Sequence, residues 1–183
     1  MENRIDRALK GAGGIQLMTH VVAGYPSLEV NAELIRLMAR CGVRLMEIQI
    51  PFTDPLADGP TIMRANQAAL DVGITPGHCF ELCSALSSEL PDVGFMFMTY
   101  ANIPFAMGME RFLHQAAASG ASGVILPDLP WDETDGDYAG AARQRGDRGQ
   151  LLYAGQFGLA VQKHRDRIAA LSAHGIQVLP AKA

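Results

Sequence analysis

The feature that most narrows what this chain can fold into is its alternation. Short apolar runs rich in β-formers trade places with longer segments of helical period: "IQLMTHVVAG", then "EVNAELIRLMARCG", then "RLMEIQIP", then a loop and "TIMRANQAALDVG". The pattern continues as "VGFMFMTY" precedes "MERFLHQAAASG" and "SGVILPDLP" precedes the weaker helical segment "DYAGAARQRG"; "QLLYAG", "KHRDRIAALSAHG" and "IQVLP" follow. Strand, helix and strand recurring at intervals of about thirty residues mark βαβ units around a parallel sheet with right-handed crossovers. Five strands are expected, with a sixth at "IQVLP", and the repeat is one of structure rather than of sequence. Helices should end at Gly42, Gly120 and Gly175, each giving a left-handed cap before the next strand.

Two α/β architectures fit this order, an open doubly wound sheet and a closed (β/α)8 barrel. The G-x-G-x-x-G turn of a dinucleotide fold is absent after the first strand, where the chain reads "AGYPS", and this weighs against the doubly wound sheet. In a barrel the chemistry gathers in loops at the C-terminal ends of the strands, where "PFTDPLADGP", "YANIPF" and "PDLPWDE" fall. A (β/α)8 TIM-type barrel is therefore expected. Such a barrel takes about 250 residues, so residues 1–183 should form a single barrel-type domain with about five to six of the eight βα units, the C-terminal ones missing.

Composition removes several classes of function. The net charge of -4 comes from acids and bases mixed along the chain, so there is no basic face for nucleic acid. No apolar run reaches the roughly 18 to 20 residues of a membrane span. Three cysteines, Cys41, Cys79 and Cys83, form no paired framework, and no targeting segment is read, which points to a soluble cytoplasmic protein. Cys79 and Cys83 could share a helical turn beside His78, but a metal site needs further ligands. No metal is expected there, and a structural role is preferred to a metal or redox one.

The chemistry is expected in "LMEIQIPFTDPLADGPTI", Leu45 to Ile62. Strand side chains alternate, so Leu45, Glu47 and Gln49 share one face while Met46, Ile48 and Ile50 share the other. The all-apolar face should meet the helices. Glu47 then points into the barrel near its active end, where poor solvation lets a carboxyl serve as proton donor as well as acceptor. From position alone, catalysis and a satisfied core carboxylate both remain open. Asp54 and Asp58 lie on a loop stiffened by Pro51, Pro55 and Pro60 and relieved at Gly59; alone, they read as turn residues or helix caps.

"MEIQIPFTDPLADGPTI" resembles the central motif of the tryptophan synthase α subunit family, a Glu closing strand two followed by P-F-S/T-D-P-L-A-D-G-P. "AGYPSLE", "MTYANIPFAMGMERF" and "GVILPDLPWDE" stand around it in the family's order, and the resemblance runs best over about residues 15–135. It implies a (β/α)8 barrel that splits indole-3-glycerol phosphate into indole and glyceraldehyde 3-phosphate in tryptophan biosynthesis. The family's two catalytic acids fall on Glu47, as proton shuttle, and Asp58, as an anion at the indole nitrogen. Tyr100, Ile62, Ile125 and His20 would line the substrate pocket. Asp54, Pro55, Asn102 and Phe105 would face a β subunit in an α2β2 assembly. That partner would carry pyridoxal phosphate, and the α chain itself would need no cofactor.

Two positions depart from the pattern. His20 stands where many members carry an apolar or aromatic pocket residue, and Gln49 replaces a common Gly two positions after the catalytic Glu. Both should point inward, where they either alter substrate fit and the placement of Glu47 or represent a subfamily variation without effect. The family's glycine-rich phosphate-binding loops are expected to be missing with the last units. Two further readings stay open: a non-catalytic α-like subunit that binds and modulates a β subunit, and a related barrel acting on another indole-like substrate.

Overall fold

The apolar runs pair side by side in the order in which the chain makes them. In the computed structural model, which describes residues 4–10, 14, 16–128 and the backbone of 152–155, β1 (Met18–Val22), β2 (Leu45–Gln49), β3 (Gly94–Met98), β4 (Gly123–Leu126) and β5 (Leu152–Gly155) form one parallel sheet in the order β1-β2-β3-β4-β5. A doubly wound sheet reverses its strand order at a switch point. Strictly sequential order is the run of staves of a (β/α)8 barrel, and five of them are present among the described residues. The sixth expected strand, the helical readings over 137–146 and 163–175, and Gly175 lie outside the described residues.

Between the strands run α2 (Leu28–Arg40), α3 (Pro60–Asp71), α4 (Pro76–Glu89), the short α5 (Asn102–Met107) and α6 (Met109–Ala118); α1 (Arg4–Leu9) precedes the sheet. Their starts are written locally. The Ser27 hydroxyl accepts from the Val30 N–H at 3.2 Å at the head of α2, and Pro60 and Pro76 open α3 and α4, where a missing N–H costs nothing. At α4 the Thr75 hydroxyl accepts from the His78 N–H at 3.5 Å, while His78 Nδ1 accepts the Thr75 N–H at 3.2 Å. That is a capping box with histidine in the place of the usual Glu or Gln.

His78 is thus employed as a cap, and Cys79 and Cys83 point into the core. Burial pushes both thiols up to about 12, which keeps them protonated and unreactive. Among the described residues no three of His, Cys, Asp and Glu are gathered to hold a metal ion.

The division of faces expected for β2 is present. Met46, Ile48 and Ile50 are fully buried with Phe95, Phe97, Val124 and Leu126 of the neighbouring strands against Ile35, Leu86 and Phe112 of the helices. Phe80 meets Phe97 edge-on at 5.2 Å and Phe112 at 5.7 Å. Each such buried side chain stabilises the fold by roughly 1.5–3 kcal/mol. α1 was not expected from sequence. Its Ile5 packs where Gly94 leaves room at the start of β3, and Arg4 Nη1 donates to the Ser87 carbonyl at 2.9 Å.

Gly42 and Gly120 both follow helix ends with positive φ, at 93° and 85°. They differ in surroundings. A Cβ at Gly42 would meet nothing, whereas at Gly120 it would strike the side chain of Ser87, whose hydroxyl donates to the Ser119 carbonyl at 3.0 Å. Gly42→Ala should therefore lose about 1–2 kcal/mol from backbone strain alone, and Gly120→Ala clearly more in the same urea titration. Equal losses would show that Ser87 yields without cost.

Candidate active site

The register of the sheet decides which side chains meet. His20, Glu47, Met96 and Gly123 are successive partners across β1 to β4, and Val22, Gln49, Met98 and Ile125 form the next row toward the C-terminal ends. These rows lie on the face opposite the helix-covered core. Gly123 adds no side chain to the row of Glu47, whose direct neighbours across the sheet are His20 and Met96.

Glu47 is in contact with an imidazole. His20 Nδ1 lies 2.8 Å from Glu47 Oε1, with 30% of the His20 side chain and 13% of the Glu47 side chain exposed. On its other side His20 Nε2 lies 2.9 Å from Gln49 Oε1, and Gln49 Nε2 donates to Asp58 Oδ2 at 2.7 Å. Gln49 is fully buried. One unbroken chain of hydrogen bonds thus runs from Glu47 through His20 and Gln49 to Asp58. Loss of water around the ring lowers the His20 pKa, but the bond to Glu47 and its charge, the bond to Gln49 and the charge of Asp58 outweigh it, and the net shift is upward from the ordinary 6.5.

The loop that carries Asp58 is pinned at several points. The Leu56 N–H donates to the Asp54 carbonyl and the Asp58 N–H to the Pro55 carbonyl, both at 2.9 Å. The Phe52 N–H donates to Asn66 Oδ1 at 3.0 Å, and the Ala57 N–H to the Tyr100 hydroxyl at 3.0 Å. Tyr100 is buried and stacks on Phe52 at 5.3 Å. Burial, with the charge of Asp58 beside it, pushes its hydroxyl up to about 12. The carboxylate of Asp128, from "PDLPWDE", accepts the Ala101 N–H at 3.0 and 3.1 Å and so holds the entry to α5.

Of the expected pocket residues, His20 joins Glu47 directly, Tyr100 reaches the Asp58 loop, and Ile125 is half-buried in the row of Gln49. Ile62 is half-buried in the first turn of α3, against the cluster of Val22, Ala65 and Ala69. Among the residues expected to face a partner, Asp54, Asn102 and Phe105 are exposed, whereas Pro55 is buried and shapes the turn beneath them. Sequence reasoning missed Phe52, Asp128 and two buried asparagines. Asn31 in α2 accepts the Gly24 N–H at 2.7 Å and donates to the Tyr25 carbonyl at 2.9 Å, doing for the loop after β1 what Asn66 does for the loop after β2. The available signal was an Asn on the apolar stripe of each helix.

A family model described as tryptophan synthase alpha chain matches residues 7–147. The tryptophan synthase alpha chain of Syntrophotalea carbinolica is 47% identical over 140 residues, covering 76% of this chain and 54% of its own length. A solved tryptophan synthase structure from M. tuberculosis aligns with a TM-score of 0.67 at 29% identity, over 75% of this chain and 54% of that one. The α-subunit of Pyrococcus furiosus tryptophan synthase gives 0.68 at 27% identity, over 75% and 54%. The chain spans about half the length of the curated relatives it matches. With the sequential parallel sheet and the acids Glu47 on β2 and Asp58 on the loop after it, these likenesses lead to one conclusion: the chain belongs to the tryptophan synthase alpha chain family.

Proposed function

We propose that the chain carries the lyase chemistry of its family, the retro-aldol cleavage of indole-3-glycerol phosphate to indole and glyceraldehyde 3-phosphate. The observation that supports this most is the joining of Glu47 and Asp58 through a single run of hydrogen bonds at the C-terminal end of the sheet. The reaction needs a proton placed on C3 of the indole ring, a proton removed from the hydroxyl of the adjacent side-chain carbon, and an anion near the ring N–H as positive charge develops there. Glu47 performs the two proton transfers. Asp58, held by Gln49, stabilises the ring nitrogen.

Tyr100, Ile62 and Ile125 supply the apolar walls against which the ring lies, and Tyr100 also fixes the Asp58 loop through Ala57. The reaction as written requires no cofactor on this chain. A β subunit bearing pyridoxal phosphate is the proposed partner in an α2β2 assembly, meeting Asp54, Asn102 and Phe105. Leu56, two residues after Asp54, is 90% exposed.

In an indole-release assay on the full chain, with and without a β subunit, Glu47→Gln and Asp58→Asn should each lower turnover by about 10²–10⁴-fold with little change in thermal stability. Unchanged turnover in either variant would end the reading. On size-exclusion chromatography the chain should co-elute with a β subunit, and Phe105→Asp should abolish this. If the wild-type chain fails to co-elute, the proposed interface is wrong.

A further inference from the structure

The bonds around Gln49 fix where a proton must be. An ionised Asp58 only accepts, so the Gln49 amide has to turn its NH2 group toward Asp58, as the 2.7 Å contact from Nε2 to Oδ2 records. Gln49 Oε1 is then the atom that faces His20, and it too only accepts, so His20 Nε2 at 2.9 Å must carry a hydrogen. That leaves Nδ1, 2.8 Å from Glu47 Oε1, with two states. Either Nδ1 is protonated and donates to a carboxylate, or it is bare and accepts from a carboxyl. In both, His20 and Glu47 share a single proton.

We propose that His20 is a positioning residue that stores the catalytic proton with Glu47, and that Gln49 sets its tautomer and ties this store to Asp58. The proposal rests on the lyase reading for what Glu47 does with the proton. From the ion-paired state, Nδ1–H passes its proton to Oε1, and the carboxyl protonates C3 of the indole ring. The carboxylate so formed takes the hydroxyl proton as the carbon–carbon bond breaks, the electron pair of that bond returns to the ring, and the proton goes back to Nδ1. One proton enters the substrate and one leaves it, so the pair ends as it began.

The groups facing His20 agree with this. From β2 it meets Glu47 and the neutral Gln49, and from the loop after β2 the charge of Asp58; Tyr100, after β3, adjoins Asp58 and stays protonated. Among the described residues the charges that act on the ring are those of Glu47 and Asp58, both negative. Such an arrangement holds its proton above the pH at which a free histidine releases it.

Nitrogen-15 spectra of the imidazole groups, recorded over pH on the full chain, test the pairing without reference to turnover. His20 should titrate above 6.5, its neutral form should carry the hydrogen on Nε2, and Glu47→Gln should lower the midpoint by about one to three units. A midpoint at or below the ordinary value, a neutral form protonated at Nδ1, or no response to Glu47→Gln would each overturn the proposal; the first two need no variant.

In the indole-release assay His20→Phe should move the basic limb of the kcat profile to lower pH with little change in KM, because Glu47 alone then has to hold the proton. An equal loss at every pH, or a rise in KM alone, would reduce His20 to packing or substrate contact and defeat the proposal. A wild-type chain that releases no indole at any pH would instead sink the lyase reading, while the nitrogen spectra still decide whether the pair shares one proton.

Discussion

A carboxylate on the inner face of a parallel sheet is the constraint from which this structure is best understood. Met46, Ile48 and Ile50 must face the helices to build the core, and strand alternation then forces Glu47 to the opposite side. Turned inward with little solvent, a carboxylate is costly unless something answers its charge. The answer comes from the neighbouring strand. Register places His20 opposite Glu47, and the 2.8 Å contact makes acid and imidazole one unit.

The remainder of the site follows from that unit. Gln49, two residues along the same face, both orients His20 and holds Asp58, so the loop acid is tied to the strand acid through two side chains. Gln49 and His20, the two positions expected from the resemblance to depart from the family's pattern, are bonded to each other at 2.9 Å. Neither could be replaced singly without leaving the other with an unmet polar group, so the two side chains act as one unit.

Much of this was legible in the sequence. Strand and helix alternation gave the parallel sheet, period-two patterning placed Glu47 inward, and Gly42 and Gly120 marked two helix ends through their conformational need. The His20 and Glu47 contact was not legible, because it depends on the register between strands 27 residues apart, and local pattern does not set that offset. From sequence His20 therefore read as a pocket residue. α1 and α5 are six residues each, too short to show a helical period, and Pro104 inside α5 reads as a breaker. Pro55, expected from the resemblance to face a partner, is buried, and the pinning of its loop by Asn66 and Tyr100 is invisible until α3 and β3 are in place.

Asn31 and Asn66 carry a consequence for how the site is assembled. Asn31 reaches back seven residues to Gly24 and Asn66 fourteen to Phe52, while Gln49 reaches forward nine to Asp58. These are contacts of low contact order, formed within a single strand, loop and helix, and the entropy of closing them is small compared with that of pairing distant strands. These contacts of the first two mouth loops are thus written within their own βα units, so a ribosome that has released one such unit has already released them, whereas the hydrogen bond from Ala57 to the Tyr100 hydroxyl has to wait for β3.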